Sequence, residues 1–257
     1  MPRKLIFFDI DGTLLDHEKQ IPPSTRQAVE QLKEAGHELI IATGRGPFMS
    51  RDIMDSLGIA SSISFNGSYV VYKGEVLHSL TLDPDRLHEL AVAAVANRHP
   101  IVYMAPDGMR TSDSDNAYES TASENEMIRL PAKDGDYYKG RDIFQCLLCC
   151  TEEHEHYYKE RFPEFVYNRW HRYGSDIIPP GGSKARGIQA VIEKAGFRQE
   201  DVYAFGDGLN DIEMLEYVHH SVAMGNAPDV VKQAAKYVTR DVTDDGIWHG
   251  LRLVGLL

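Results

Sequence analysis

Apolar and polar positions along the first third of the chain switch repeatedly between two periods. Residues 4–8 form a continuous apolar run, which is typical of a strand buried on both faces. Residues 23–36 then place apolar side chains at helical spacing and end in glycine. The same alternation of strand and helix continues through 37–43, 47–58 and 62–65. Short links between such elements predict a parallel sheet with right-handed helical crossovers.

The alternation stops after 69–81, where Lys73-Gly74 between two β-rich runs predicts a hairpin. A helix is predicted next at 84–97, and a long polar stretch occupies 106–127. The other elements predicted in this region are strands at 100–105, 143–150 and 165–170 and a helix at 152–160. This order of helices and strands indicates an α+β segment with an antiparallel sheet.

Strand and helix alternate again after residues 179–184, whose Pro and Gly content is typical of a domain boundary. The predicted elements are 184–196, 202–207, 211–218, 221–224, 228–235 and 237–239, followed by an apolar C-terminal segment that suits packing on the sheet. We therefore predict an α/β core domain formed by 1–81 and 183–257. A second domain, 82–182, is inserted into it.

Composition restricts the partners. The formal net charge is −12, which argues against a nucleic-acid backbone as partner, because phosphate contacts need clustered Lys and Arg. No apolar run is long enough for a signal peptide or a membrane span, so we expect no membrane association. Three close cysteines, Cys146, Cys149 and Cys150, are interpreted as small buried residues, which suits a reducing cytosol.

Acidic residues follow the predicted core strands. Asp9 and Asp11 follow the first strand, and Asp207 and Asp211 follow the strand at 202–207. Ligands of open parallel sheets bind outside the carboxyl ends of the strands, so these four side chains are expected at one edge. Like charges in one place are costly without a cation, and oxygen donors without His or Cys favour Mg²⁺. Because Mg²⁺ commonly binds phosphate as well, a phosphate ester is the predicted ligand.

Asp9 is the predicted nucleophile, because it directly follows a strand and is the more rigidly held of the first pair. Attack on phosphorus would give an aspartyl-phosphate. Asp11 is predicted to protonate the leaving oxygen and then to accept a proton from the hydrolytic water. The backbone carbonyl of Asp11 and the carboxylate of Asp207 would join Asp9 around the metal. Asp211 would orient a water molecule or Lys184 without binding the ion.

The phosphoryl oxygens need fixed donors. The predicted donors are the Ile10 and Gly44 amides, the Thr43 hydroxyl, the Lys184 ammonium and the Asn210 side chain. Three nearby features are weaker candidates for the site. Arg45 is interpreted as a surface or cap-facing charge, Gly225-Asn226 as a turn, and Asn66-Gly67 as a turn in which Asn66 is a lesser candidate for substrate contact.

Four motifs in this order resemble those of the haloacid dehalogenase (HAD) superfamily of phosphohydrolases, in particular its Cof-type branch (subfamily IIB). They are "DIDGT" (9–13), "ATGR" (42–45), "SKARG" (183–187) and "GDGLNDIEML" (206–215). The resemblance covers roughly 1–81 and 183–257. It implies a Rossmann-like three-layer core, an inserted C2-type cap that selects the substrate, and Mg²⁺-dependent hydrolysis of a small phosphorylated metabolite such as a sugar phosphate, nucleotide or cofactor phosphate.

Two other functions remain open from the sequence alone. A phosphomutase would use Asp9 in the same way but pass the phosphoryl group to a second sugar hydroxyl. A non-catalytic sensor would bind a phosphorylated metabolite without turnover, although the presence of both Asp9 and Asp11 counts against it.

Overall fold

The chain divides into two compact units in the computed structural model, which describes residues 2–113 and 130–257. The core unit comprises Met1–Ser79 and Ser183–Leu257, and the inserted unit comprises Leu80–Gly182. Within the predicted polar stretch 106–127, the residues from 114 onward lie outside the described part of the chain.

The core unit contains an eight-stranded, mainly parallel sheet. Its central strand β1 (Leu5–Phe8) pairs in parallel with β2 (Glu38–Ala42) on one side and with β11 (Val202–Gly206) on the other. The remaining strands are β3 (Ser61–Ser64), β4 (Tyr69–Tyr72), β5 (Glu75–Ser79), β12 (His220–Ala223) and β13 (Tyr237–Val238). The strand order is β13-β12-β11-β1-β2-β3-β4-β5, and β4 runs antiparallel to the other seven strands.

Helices cover both faces of this sheet. They are α1 (Pro23–Glu34), α2 (Pro47–Leu57), α5 (Lys184–Ala195), α6 (Ile212–Tyr217), α7 (Asp229–Ala234) and α8 (Gly246–Leu253). Ile6 and Phe8 of β1 pack into a core shared with α1, α2 and α8, whereas Leu5 and Phe7 pack into a core shared with α5, α6 and α7. Alternate residues of one strand thus enter opposite cores, which explains why residues 5–8 are all apolar.

The inserted unit contains a five-stranded antiparallel sheet with the order β7-β6-β8-β10-β9. Its elements are α3 (Pro84–Ala96), β6 (Ile101–Ala105), β7 (Gly108–Thr111), β8 (Gln145–Leu148), α4 (Glu152–Arg161), β9 (Val166–His171) and β10 (Gly174–Ile178). Tyr103, Cys146 and Ile177 from adjacent strands share one core with Leu90 of α3 and Tyr158 of α4. Strands β7 and β10 were not predicted from the sequence.

The predicted fold class is confirmed: a Rossmann-like α/β core with a parallel sheet is accompanied by a separate antiparallel sheet. All three cysteines are buried and unpaired, as the sequence indicated. Across residues 2–113 and 130–257, every helix is too short or too polar to span a membrane.

Two leucines of α8 test how far this helix stabilises the core unit. Leu251 is fully buried in the core shared with α1, whereas Leu253 of the same helix is 46% exposed. We expect Leu251→Ala to lower the free energy of unfolding by about 2–5 kcal/mol, because it leaves a cavity. The matched Leu253→Ala variant should change it by less than about 0.5 kcal/mol. Urea denaturation followed by tryptophan fluorescence and circular dichroism measures both, and equal effects would contradict this packing.

Candidate active site

Predicted site residues that follow three strands lie at the same edge of the core sheet. Asp9 directly follows β1, Thr43 directly follows β2, and Asp207 directly follows β11. Phe8 is in register with Ile41 on one side and with Phe205 on the other, so the three strands end at the same level. The carboxyl edge of the sheet therefore presents an acid, a hydroxyl and a second acid side by side.

Three carboxylates converge at this edge. Asp9, Asp207 and Asp211 each place a carboxylate oxygen within 4.8 Å of the others. Burial raises the pKa of Asp9 to about 8, a shift that Lys184 opposes and the charges of Asp211 and Asp207 increase. Burial also raises the pKa of Asp207 to about 6, against a hydrogen bond from Thr13. The raised pKa values mean that the group resists carrying all its negative charges at once.

Lys184 is the cation that this group already contains. Its Nζ donates to Asp9 Oδ1 at 2.7 Å and to Asp211 Oδ1 at 2.5 Å, and its side chain is completely buried. Burial lowers the pKa of Lys184, but the adjacent carboxylates of Asp211 and Asp9 outweigh burial and raise it. Lys184 therefore stays charged, and it fixes the orientation of both acids.

Asp211 has both carboxylate oxygens engaged. Oδ1 accepts from Lys184, and Oδ2 accepts from the backbone amides of Asp207 at 2.9 Å and Gly208 at 2.8 Å. These bonds hold the loop that follows β11 against the start of α5. The geometry suits a residue that positions Lys184 and Asp207, and it leaves less room for Asp211 as a metal ligand.

Asp207 is held by two side chains to which the sequence analysis assigned no role. Thr13 Oγ1 donates to Asp207 Oδ1 at 2.8 Å, and Asn226 Nδ2 donates to Oδ2 at 3.2 Å and to the Gly12 carbonyl at 2.8 Å. Gly12 has a φ of +78°, and a Cβ there would lie 2.1 Å from Asp207 Oδ2. Glycine is required at position 12 because the positive φ disfavours other residues and because a Cβ would overlap the Asp207 carboxylate.

Asp11 lies outside the group of three carboxylates. Its oxygens accept two hydrogen bonds from Arg45, Nε to Oδ2 at 2.7 Å and Nη2 to Oδ1 at 2.6 Å, and a third from Lys19 at 2.7 Å. Burial raises the pKa of Asp11, but the hydrogen bonds and charges of Arg45 and Lys19 outweigh it and hold the pKa below its usual value. The structure therefore separates the two acids of the "DID" stretch by environment.

Ile10, between these acids, is buried, and its carbonyl accepts the amides of Leu14 and Leu15 at 3.0 and 2.8 Å. This turn reverses the chain immediately after Asp9. It keeps the backbone of the loop close to the sheet edge, where the Ile10 amide was predicted to contact phosphate.

The predicted phosphate donors Thr43 and Gly44 lie beside Asn66. Thr43 Oγ1 accepts from the Arg45 amide at 3.1 Å, and the Thr43 carbonyl accepts from the Asn66 amide at 3.1 Å. A Cβ at Gly44 would lie 3.1 Å from the Asn66 side-chain amide. Asn210, the fifth predicted donor, contacts the same residue through Nδ2 at 2.8 Å. Asn66 is thus the buried link between two loops of the site.

The turn containing Asn66 is strained and supports the start of α5. Phe65, Asn66 and Gly67 all have positive φ, at 51°, 53° and 99°. A Cβ at Gly67 would lie 1.9 Å from the Ser183 carbonyl oxygen, so the two chain segments touch backbone to backbone. This contact locates the first residue of α5, Lys184.

Three residues of the site were missed or given a different role by sequence reasoning. Arg45, interpreted as a surface or cap-facing charge, has a side chain 22% exposed and pairs with Asp11. Asn226, interpreted as a turn residue, contacts Asp207, and its Oδ1 accepts the Val242 amide at 3.0 Å. Thr13 is part of "DIDGT", so its motif was the available signal. The partners of Arg45 and Asn226 are distant in sequence and gave no local signal.

Comparison with known proteins identifies the family. A family model described as haloacid dehalogenase-like hydrolase matches residues 6–251. YkrA of Bacillus subtilis (strain 168), which is named provisionally as a phosphatase, is 45% identical over 257 residues and covers 100% of both chains. The pyridoxal phosphate phosphatase YbhA of Escherichia coli (strain K12) is 32% identical, covering 96% of this chain and 97% of its own.

A solved structure extends the similarity to the whole fold. BT1666 from Bacteroides thetaiotaomicron, from a study of phosphatases of the HAD superfamily, superposes with a TM-score of 0.90 at 26% identity. The alignment covers 99% of this chain and 96% of that chain. The motifs, the fold and the relatives agree: the chain belongs to the haloacid dehalogenase-like hydrolases and is a Cof-type phosphatase, a phosphoric monoester hydrolase.

Proposed function

We propose that the protein is a Mg²⁺-dependent phosphatase that hydrolyses a small phosphorylated metabolite through an aspartyl-phosphate on Asp9. The observation that carries the proposal is the buried group of Asp9, Asp207 and Asp211 with Lys184 at the carboxyl edge of the sheet. YbhA is named for pyridoxal phosphate, which supports a small phosphate ester as substrate. We also propose that the inserted unit is the cap that selects the substrate; the cytosolic location stays a prediction.

The donors fit a hard divalent cation. Phosphatases of this family generally use such a cation, and the converging ligand atoms here are carboxylate oxygens, the donors that Mg²⁺ prefers. Asp9, Asp207 and the Asp11 backbone carbonyl would hold it. Bound there, Mg²⁺ would neutralise the charge of the phosphoryl group and of the two carboxylates. The raised pKa values of Asp9 and Asp207 support this assignment, because burial is their main cause and a bound cation would stabilise the charged form of both buried carboxylates.

Asp9 is the nucleophile in this proposal. One of its carboxylate oxygens forms a bond to phosphorus while the bond from phosphorus to the ester oxygen breaks. Lys184 holds the other oxygen, Oδ1, at 2.7 Å, so the carboxylate cannot rotate freely. Such restraint favours in-line attack, because less rotational freedom of the carboxylate has to be lost on reaching the transition state.

Asp11 is the general acid and base. It gives a proton to the departing ester oxygen and later takes one from the water that attacks the aspartyl-phosphate, which regenerates Asp9 and releases phosphate. The pair with Arg45 favours the charged form, which is the form required for the second step. Protonation for the first step requires the carboxyl group to leave Arg45 and Lys19, so we propose that Asp11 changes rotamer during turnover.

The phosphoryl oxygens are proposed to bind the amides of Ile10 and Gly44, the Thr43 hydroxyl, the Lys184 ammonium and Asn210. Arg45 supports this group indirectly, because its amide donates to Thr43 Oγ1 while its guanidinium holds Asp11. Fixed donors around the three oxygens stabilise the charge that spreads over them in the transition state.

Metal affinity should depend on pH. Below their raised pKa values of about 6 and about 8, Asp207 and Asp9 hold protons that a cation must displace. We therefore expect the affinity for Mg²⁺ to rise between pH 6 and pH 8, with proton release. Calorimetric titration of chelator-treated protein in two buffers of different ionisation enthalpy measures both. Asp207→Asn should weaken binding and release fewer protons; an affinity that is flat over this range would contradict the assignment.

Asp9→Asn should lower phosphate release by a factor of at least about 10³, because an amide oxygen is a poor nucleophile. The assay is phosphate release from sugar phosphates, nucleotides, flavin mononucleotide and pyridoxal phosphate with Mg²⁺. The control Asp52→Asn makes the same chemical change at an exposed position of α2 and should retain wild-type rates. Equal rates for Asp9→Asn and wild type would refute the mechanism, and an isomerised sugar phosphate without free phosphate would indicate a mutase.

Asp11→Asn should separate the two half-reactions. With p-nitrophenyl phosphate, whose leaving group needs little protonation, we expect a burst of one nitrophenolate per enzyme followed by a stall, because the aspartyl-phosphate lacks its base. With an alkyl phosphate the variant should show no burst and lose about 10²–10⁴ in rate. Stopped-flow absorbance and intact-protein mass spectrometry follow the two species. Equal losses on both esters without a phosphorylated protein would exclude this role.

A further inference from the structure

The turn that follows β12 carries Asn226, a side chain to which the proposed hydrolysis assigns no role. Backbone contacts hold this turn to two other segments of the core unit. The Met224 amide donates to the Gly206 carbonyl at 3.0 Å. The Gly225 amide donates to the Arg240 carbonyl at 2.8 Å, and a Cβ at Gly225 would lie 2.5 Å from the Arg240 carbonyl carbon. Asn226 is therefore presented from a fixed position.

The orientation of the Asn226 side-chain amide follows from its neighbours. The Val242 backbone amide, which can only donate, lies 3.0 Å from Oδ1. The atom facing Val242 must therefore be the side-chain oxygen, and the two N–H groups lie on the other side. There Nδ2 meets two acceptors, the Gly12 carbonyl at 2.8 Å and Asp207 Oδ2 at 3.2 Å. Each of these contacts thus pairs a donor with an acceptor.

The other oxygen of Asp207 is held from a different loop. Thr13 Oγ1 donates to Asp207 Oδ1 at 2.8 Å, and the Thr13 side chain is fully buried. The Gly12 backbone packs against Oδ2, where a Cβ would lie only 2.1 Å away. The carboxylate therefore cannot rotate without losing its hydrogen bonds to both Thr13 and Asn226.

A carboxylate held in this way suits a small cation better than a large one. Mg²⁺ requires near-ideal octahedral geometry and is usually bound through one or two carboxylates together with water and phosphate. Ca²⁺ accepts about six to eight oxygen ligands in flexible geometry and can take both oxygens of one carboxylate. Turning Asp207 to bring both of its oxygens onto one ion would cost the bonds to Thr13 and Asn226.

We infer that Asn226 is a positioning residue that, together with Thr13, fixes the Asp207 carboxylate and makes the site favour Mg²⁺ over Ca²⁺. The inference rests on the proposed function, in which Asp207 binds Mg²⁺. Asn226 and Thr13 act through Asp207 and do not bind the ion themselves. Such outer partners of metal-binding carboxylates typically change metal affinity by about 10–100-fold when they are removed.

Calorimetric titration of the full-length, chelator-treated protein with Mg²⁺ and, separately, with Ca²⁺ tests the inference without substrate. Asn226→Ala frees Asp207 Oδ2, so we expect the affinity for Mg²⁺ to fall by about 10–100-fold. The affinity for Ca²⁺ should change by less than about threefold, because a carboxylate that turns freely still suits its variable coordination. The ratio of the two affinities is decisive, since general damage to the site would lower both equally.

Thr13 gives an independent test at the other oxygen of Asp207, should Asn226→Ala also disturb its own turn. Thr13→Val keeps the shape of the buried side chain and removes the hydroxyl, so it should lower the ratio of Mg²⁺ affinity to Ca²⁺ affinity by at least about tenfold. Thr13→Ser retains the donor and should recover most of this ratio. Circular dichroism verifies that each variant is folded.

The matched control is Thr243→Val. Thr243 is exposed in the loop that contacts Asn226, and its hydroxyl donates to Asp241 Oδ1 at 2.7 Å. This variant should bind both cations as wild type does. An unchanged affinity ratio in Asn226→Ala and Thr13→Val would overturn the inference, and phosphate release by wild type with Mg²⁺ would then leave the proposed function intact. If wild type neither binds Mg²⁺ nor releases phosphate, the proposed function fails and this inference fails with it.

Discussion

The site depends on one buried ammonium group placed between two buried carboxylates. Lys184 joins Asp9, which follows β1, to Asp211, which follows β11, and it does so from the first turn of α5. Removing one partner of such a buried group typically costs about 3–5 kcal/mol, because a charge is left without compensation. Three separate chain segments are thereby kept in register at the position where the chemistry is proposed to occur.

Much of the fold could be predicted from apolar periodicity. Residues 5–8 are all apolar because both faces of β1 are covered. Strand β10 was missed for the opposite reason. Its sequence, Gly174–Ile178, begins with glycine, serine and aspartate, which have weak strand preference, and the strand forms because β8 and β9 pair with it on both sides.

The site was predictable where a residue type follows directly from its position at a strand end, as for Asp9 and Asp207. It was not predictable where the decisive contact joins distant loops. Arg45 lies in the "ATGR" motif, but its partner Asp11 is 34 residues away, and Asn226 is 19 residues from Asp207, so the sequence does not show either contact. The residue types in the sequence identify the acidic residues of the site, whereas the structure is needed to show which neighbours set their orientation and their pKa values.

The close approach of Gly67 to Ser183 has an evolutionary consequence. The chain returns to the core unit at Ser183, where this backbone contact holds it. The position of Lys184, the next residue, is therefore set by the core unit and not by the length of the inserted unit. We therefore expect that the inserted unit, Leu80–Gly182, can differ in length or sequence between related proteins while the Lys184 ammonium group keeps its position. Such tolerance would let the inserted unit change in evolution without rebuilding the buried ion pairs of the core unit.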